Sequence, residues 1–287
     1  MLVSFLLLLT AADPAYVGSA ACRLCHTPEH GGQSATPHAK ALSRSSDRRY
    51  EWAFGAPVQA TTYVSKISED DYVEHRLSYY TKTKAMGVTP GHEGKPEPGA
   101  LYRLFSPGSE ILRCFQCHST GPLRITADRR IEPFEPGVRC EVCHGGGGPH
   151  VKAPAKANIL NPKRYTPAEV NQLCGSCHRK PTPSGAATDF RDPWNARHQP
   201  LYFAESACFK RSGQLSCLSC HAPHGTKVLD VCAGCHEKPR HPATVRLAGQ
   251  TCVGCHMPPV RPRPELSFAN HWIGVYPRGE VMVPRRR

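Results

Sequence analysis

Fourteen of the fifteen cysteines fall in pairs spaced C-x-x-C, and each pair is followed at once by histidine. The seven C-x-x-C-H motifs are, in order, Cys22, Cys25 and His26; Cys114, Cys117 and His118; Cys140, Cys143 and His144; Cys174, Cys177 and His178; Cys217, Cys220 and His221; Cys232, Cys235 and His236; and Cys252, Cys255 and His256. Two thiols about one helical turn apart can each add to a haem vinyl group, and the adjoining imidazole then reaches the iron as proximal ligand. Zinc knuckles, redox C-x-x-C pairs and disulfides explain one or two such pairs, but not a histidine after every one. The pattern predicts seven covalently attached haems c, with these cysteines as thioether positions and these histidines as proximal ligands.

That expectation bears directly on the fold. Of 287 residues only 39% are hydrophobic and 8% aromatic, against 28 prolines and 24 glycines. So little aliphatic core argues against a large α/β enzyme, while disorder gives no reason for regularly placed Cys and His. Bound porphyrin is expected to supply the missing apolar surface. The expected fold is mostly irregular, with short α-helices wrapped around a seven-haem array and a small β-hairpin in the N-terminal haem-poor segment.

Successive first cysteines are 92, 26, 34, 43, 15 and 20 residues apart, so the first motif stands alone and six crowd the rest. The expected division is a signal peptide over 1–12, an N-terminal region over 13–100 with the first haem and the hairpin, and a haem-dense region over 101–287 with six haems. Segments 59–67 and 71–80 flank a turn-rich Ser68 to Asp71 and read as the two strands. Alternation puts Val73, His75, Leu77 and Tyr79 on one face, where His75 is either a ligand or, the preferred reading, a hydrogen-bonded core histidine. A loop over 87–98 carries His92. From Leu101 onward, Pro and Gly loops between the motifs predict modest helix and scarce strand.

The first twelve residues, MLVSFLLLLTAA, are largely apolar and end in small residues, but no basic residue precedes Arg23. They read as a secretory signal peptide lacking its usual basic start and are too short to span a bilayer. A periplasmic or extracellular protein without an integral membrane span is expected. The formal charge of +13 would ordinarily suggest a polyanion partner. Seven haems would bring roughly −14 in propionates, offset by about one positive charge per ferric iron, so the basic residues read as counter-charge. No basic stretch alternates with aromatics as a nucleic-acid platform would, so no nucleic-acid partner is expected.

Nine histidines lie outside the motifs: His30, His38, His75, His92, His150, His198, His224, His241 and His271. Seven irons need at most seven sixth ligands, so the inventory can close every haem with a second imidazole. Cys208 reads first as a small buried residue, with iron ligation or an intermolecular disulfide as sharper alternatives. Met257 is expected to pack on a haem edge.

Several separated strings resemble the multihaem cytochrome c family that includes the tetrahaem electron acceptor of hydroxylamine oxidoreductase. YVGSAACRLCH followed by ATPHAKAL is similar to that family's opening, which implies His38 as a distal ligand. GVRCEVCHGGGGPH implies the same for His150, and SACFKRSGQLSCLSCHAPH for His224. VCAGCHEKPRHP, TCVGCHMPP and FANHWI resemble the final block and imply His241 and His271. His92, with His75 as its rival, and His198, by position, complete seven distal candidates.

The function expected is an electron relay between redox protein partners through closely packed bis-histidine haems. Two alternatives stand beside it. One is an oxidoreductase acting on a small nitrogen or sulfur species at one open haem; no C-x-x-C-K motif advertises such a site. The other is a subunit of a haem filament or outer-surface conduit, which would make the chain a homo-oligomer or filament.

Overall fold

A computed structural model describes residues 15–106, 110–181, 188–237, 241 and 251–285. The expected signal peptide lies outside these residues. Each motif begins a short helical turn because its histidine amide can bond the first cysteine's carbonyl, as in His26 N to Cys22 O (2.9 Å), His221 N to Cys217 O (3.0 Å) and His236 N to Cys232 O (2.9 Å). That i to i−4 bond sets the two thiols three residues apart on one side of the turn.

In chain order the helices are α1 (Ser19–Arg23), α2 (Thr27–Ser34), α3 (Ile111–His118), α4 (Cys140–His144), α5 (Gly148–Lys152), α6 (Pro167–His178), α7 (Gln199–Glu205), α8 (Ala207–Ser212), α9 (Cys217–Cys220) and α10 (Cys252–His256); the sixth motif starts on a 3₁₀ turn, Cys232–Gly234. The longest, α6, starts with a capping box in which Thr166 and Glu169 satisfy each other's backbone amides. Among the described residues no helix is long and apolar enough to cross a membrane.

Strand is more plentiful than the sequence suggests. A seven-stranded antiparallel sheet contains β1 (Leu42–Arg44), β2 (Trp52–Phe54), β3 (Ala60–Lys66), β4 (Asp71–His75), β5 (Leu77–Tyr80), β6 (Ala85–Val88) and β7 (Gly99–Arg103). Its main path is β1-β2-β3-β4-β7, with β5 pairing both β3 and β6. The expected hairpin is present as β3 and β4, in register Val64 to Glu74, but it is only the middle of this sheet. The expected second strand is two strands: after His75, Arg76 N turns to bond Pro98 O, and β5 pairs with the other end of β3. Two more hairpins follow in the haem-dense part, β8 (Ser119–Ile125) with β9 (Ile131–Pro136), and β10 (Pro259–Arg263) with β11 (Leu266–Ala269).

Conventional core is also present. Leu42, Trp52, Phe54, Val64 and Tyr72 of the sheet bury against Ile111 and Phe115 of α3 and Ile131 of β9. Phe115 meets Trp52 and Phe54 edge-on, at ring separations of 5.4 and 5.0 Å. This packing fixes α3, and with it the second motif, against one face of the sheet.

Candidate metal centres

A metal to imidazole-nitrogen bond is about 2 Å and the ring centre lies ~1 Å further back, so two imidazoles on opposite sides of one iron have centroids roughly 6 Å apart. Five motif histidines have a second imidazole at that separation. His26 faces His150 at 6.3 Å, His144 faces His224 at 6.0 Å, His178 faces His38 at 5.9 Å, His221 faces His271 at 6.2 Å and His256 faces His241 at 6.1 Å. For the near-parallel pairs this gap is too wide for stacking contact, and in all five it fits one metal atom. The interplanar angles range from 18° to 68°, which is compatible because each ring plane can turn about a shared nitrogen–metal–nitrogen axis.

The donor chemistry fits as well. Nδ1 of His118, His144 and His256 donates to the backbone carbonyls of Ala41 (2.9 Å), Leu160 (2.8 Å) and Gly274 (2.8 Å). On the facing side His150 and His271 donate likewise to Ala155 (3.0 Å) and Ala269 (2.9 Å). A proton held at Nδ1 fixes ring orientation and leaves Nε2 as the metal-binding atom. Burial pushes His178 and His271 down to about 4 and lowers His38, His118, His221 and His224, so these rings are neutral imidazoles at neutral pH. The residues therefore fit a bis-imidazole iron at five motifs: His38, His150, His224, His241 and His271 would each hold the face opposite a motif histidine.

The other distal candidates sit differently. His198 is half-buried and lowered to about 4, first by burial and then by Arg197 and Arg179, with Nδ1 left without a partner. His92 is buried in its loop, and its Nε2–H donates to Glu74 Oε2 (3.2 Å). His75 bonds Ser65 Oγ through Nε2 (2.9 Å) and meets Tyr50 edge-on at 4.6 Å. Among the described residues, none of these three faces a motif histidine at the separation found for the five pairs. For His236 the chain segments at 238–240 and 242–250 lie outside the described residues.

Thiols of different motifs also adjoin. The side chain of Cys22 lies beside that of Cys140, Cys117 beside Cys177, and Cys174 beside Cys217. Cys143 lies in the field of Cys174 and Cys177, and Cys232 in that of Cys220. Asp230, Cys232 and Cys252 bring their side-chain ligand atoms within 4.8 Å of one another, which joins the sixth motif to the seventh. Cys208 is half-buried, and burial raises its thiol; it lies in the field of Cys235 and itself acts on Cys220.

Two carboxylates that the sequence does not flag orient the first motif. Glu141, in the third motif, accepts from the amides of Val17 (3.0 Å), Gly18 (2.9 Å) and Gly147 (2.7 Å). Glu135 accepts from the amide (3.1 Å) and hydroxyl of Ser19. Both therefore sit where α1 begins and complement its unpaired amides. Gly32 of α2 has a different role: an added Cβ would lie 2.0 Å from His224 O, so the close approach of α2 to the His224 loop requires glycine.

Comparison with known proteins agrees with this picture. The family model for cytochrome c3 matches residues 134–237, and that for cytochrome c554 and c-prime matches residues 102–145. Over 140 residues the chain is 29% identical to the multihaem cytochrome MtrA of Shewanella baltica (strain OS185), covering 42% of this chain and 36% of that protein. The chain thus spans little more than a third of that relative. Among solved structures, the outer cell wall cytochrome OcwA superposes with a TM-score of 0.62 at 17% identity, over 90% of this chain and 79% of that one. The undecahaem cytochrome from the S-layer of Carboxydothermus ferrireducens gives 0.52 at 16% identity, over 85% and 51%.

Proposed function

We propose, for a chain whose matched segments and fold are those of multihaem c-type cytochromes, that it is a periplasmic or extracellular electron relay holding seven haems c. The observation that carries the reading is the set of five imidazole pairs at iron-spanning separation. Bound haem supplies one-electron chemistry; the rest is the work of the chain. Cysteine pairs tether, and paired imidazoles close both faces, so that a small molecule finds no free position at those five motifs. Backbone carbonyls aim His144, His150, His256 and His271, and burial keeps His38, His178, His221, His224 and His271 neutral.

The thiol contacts support an order of motifs. The first adjoins the third, the second the fourth, the fourth the fifth and the sixth the seventh, while the third lies in the field of the fourth and the sixth in that of the fifth. Tethering points near one another would bring neighbouring porphyrin edges together, which a relay requires. We extend the reading to redox protein partners at the two ends of this line. Kinship with the electron acceptor of hydroxylamine oxidoreductase is its narrower form.

The test is a mass of the matured holoprotein together with a low-spin count by electron paramagnetic resonance. Seven haems with at least five bis-imidazole signals are expected. A colourless or zinc-loaded product from a host with full cytochrome maturation would overturn the proposal.

A further inference from the structure

The second motif has surroundings unlike those of the five paired ones. His118 lines a cavity of about 360 Å³ between α3 and the sheet together with Cys114 and Cys117, so a haem of this motif would sit in it, and no other imidazole is among its lining residues. The sheet wall is Thr62, Val64, Glu74 and Tyr102, with Phe54 at one side. Strand pairing explains the set. Val64 lies opposite Glu74, and Tyr72 opposite Tyr102, so alternate residues of three strands point towards α3. His75, one residue on, must point the other way, where it meets Ser65 and Tyr50.

Glu74 is held firmly in that wall. Its Oε2 accepts from His92 Nε2 (3.2 Å) and from the Tyr102 hydroxyl (3.1 Å), while Oε1 has no hydrogen-bond partner among the described residues. A carboxylate braced in this way presents its free oxygen to the cavity as an acceptor. The α3 wall contributes Glu110 and Arg113, one charge of each sign, so Glu74 tips the balance towards negative potential.

We propose that the iron position opposite His118 is open, and that Glu74, braced by His92 and Tyr102, makes the sheet side of this haem seat a site for a small neutral ligand with an N–H or O–H to donate, and a poor site for small anions. The proposal rests on haem attachment at Cys114 and Cys117. It makes the side branch of the relay a place where a small molecule can meet electrons, and it gives His92 a bracing role in place of ligation.

The experiment uses the holoprotein. Peptide mapping first establishes haem at Cys114 and Cys117; its absence there would overturn both this proposal and the seven-haem reading. Carbon monoxide is then added to the reduced protein, and azide is titrated into the ferric protein, for the natural chain and for Glu74→Gln. About one haem equivalent should bind carbon monoxide in both proteins. In Glu74→Gln the carbon monoxide stretch should move to lower wavenumber, because a nearby negative charge is gone, and azide should bind about tenfold more tightly. Full haem loading with no carbon monoxide adduct would overturn the proposal and leave the relay intact. An adduct whose stretch and azide affinity ignore Glu74→Gln would overturn the assignment to this cavity.

Discussion

Replacing Glu141 by alanine tests how the first motif is positioned relative to the third. The carboxylate is 2% exposed and accepts three backbone amides at 2.7 to 3.0 Å, two of them from Val17 and Gly18, over 120 residues away in sequence. A hydrogen bond to a charged group is worth about 1.5–3 kcal/mol, and a buried donor left unpaired costs ~1–3 kcal/mol. Water entering the vacated space recovers part of this, so the three bonds together should cost about 3–5 kcal/mol. At a guanidinium slope of about 4 kcal/mol per molar, the unfolding midpoint should fall by roughly 1 M. Glu141→Gln keeps the shape but loses the charge and one acceptor oxygen, and should fall by about half as much. The assay is equilibrium unfolding of the holoprotein followed by far-ultraviolet circular dichroism and by the Soret band. Because the lost bonds anchor α1, the Soret change in Glu141→Ala should precede the loss of helix. A midpoint shift of less than about 0.2 M for alanine would refute the claim that these amides depend on the carboxylate.

Three further outcomes follow from the geometry. His271→Ala removes the ring 6.2 Å from His221 and should convert one haem to high spin, leaving the others unchanged in electron paramagnetic resonance; an unchanged spin count would remove His271 as a ligand. Gly32→Ala puts a methyl group 2.0 Å from His224 O and should cost about 1–3 kcal/mol while loosening the ligand opposite His144, whereas Gly31→Ala, with open space around it, should be harmless; thermal melts and the spin count of the two variants compare directly. Glu169 is held below the usual carboxylate range by the Thr166 amide and hydroxyl, so the cap's contribution is present above the ordinary value of about 4.3 and lost as pH falls through the lowered one. Protection of the first amides of α6 against hydrogen exchange, corrected for intrinsic rates, should fall across that acid window and be independent of pH in Glu169→Gln, which has no carboxylate to titrate.

The motif geometry was readable in the sequence because it is local: Cys, Cys and His at i, i+3 and i+4 lie on one helical turn whatever the rest of the chain does. Strands were harder. β1 and β2 are three residues each, too short to show a period of two, and β8, β9 and β10 carry Pro122, Pro133, Pro136, Pro259 and Pro262, which weaken any strand reading. The pairing of imidazoles could not be read at all. His26 meets a ring 124 positions later and His38 one 140 positions later, while His241 meets one only 15 positions away. No spacing rule covers these separations. Adjacent residues 74 and 75 show the same limit most sharply: strand alternation gives opposite faces to Glu74 and His75, but only packing against α3 decides that the carboxylate, and not the imidazole, looks into the cavity. The proposed attachment positions are fixed by neighbours along the chain, whereas what faces each motif histidine is fixed by side chains that meet only after distant segments have packed.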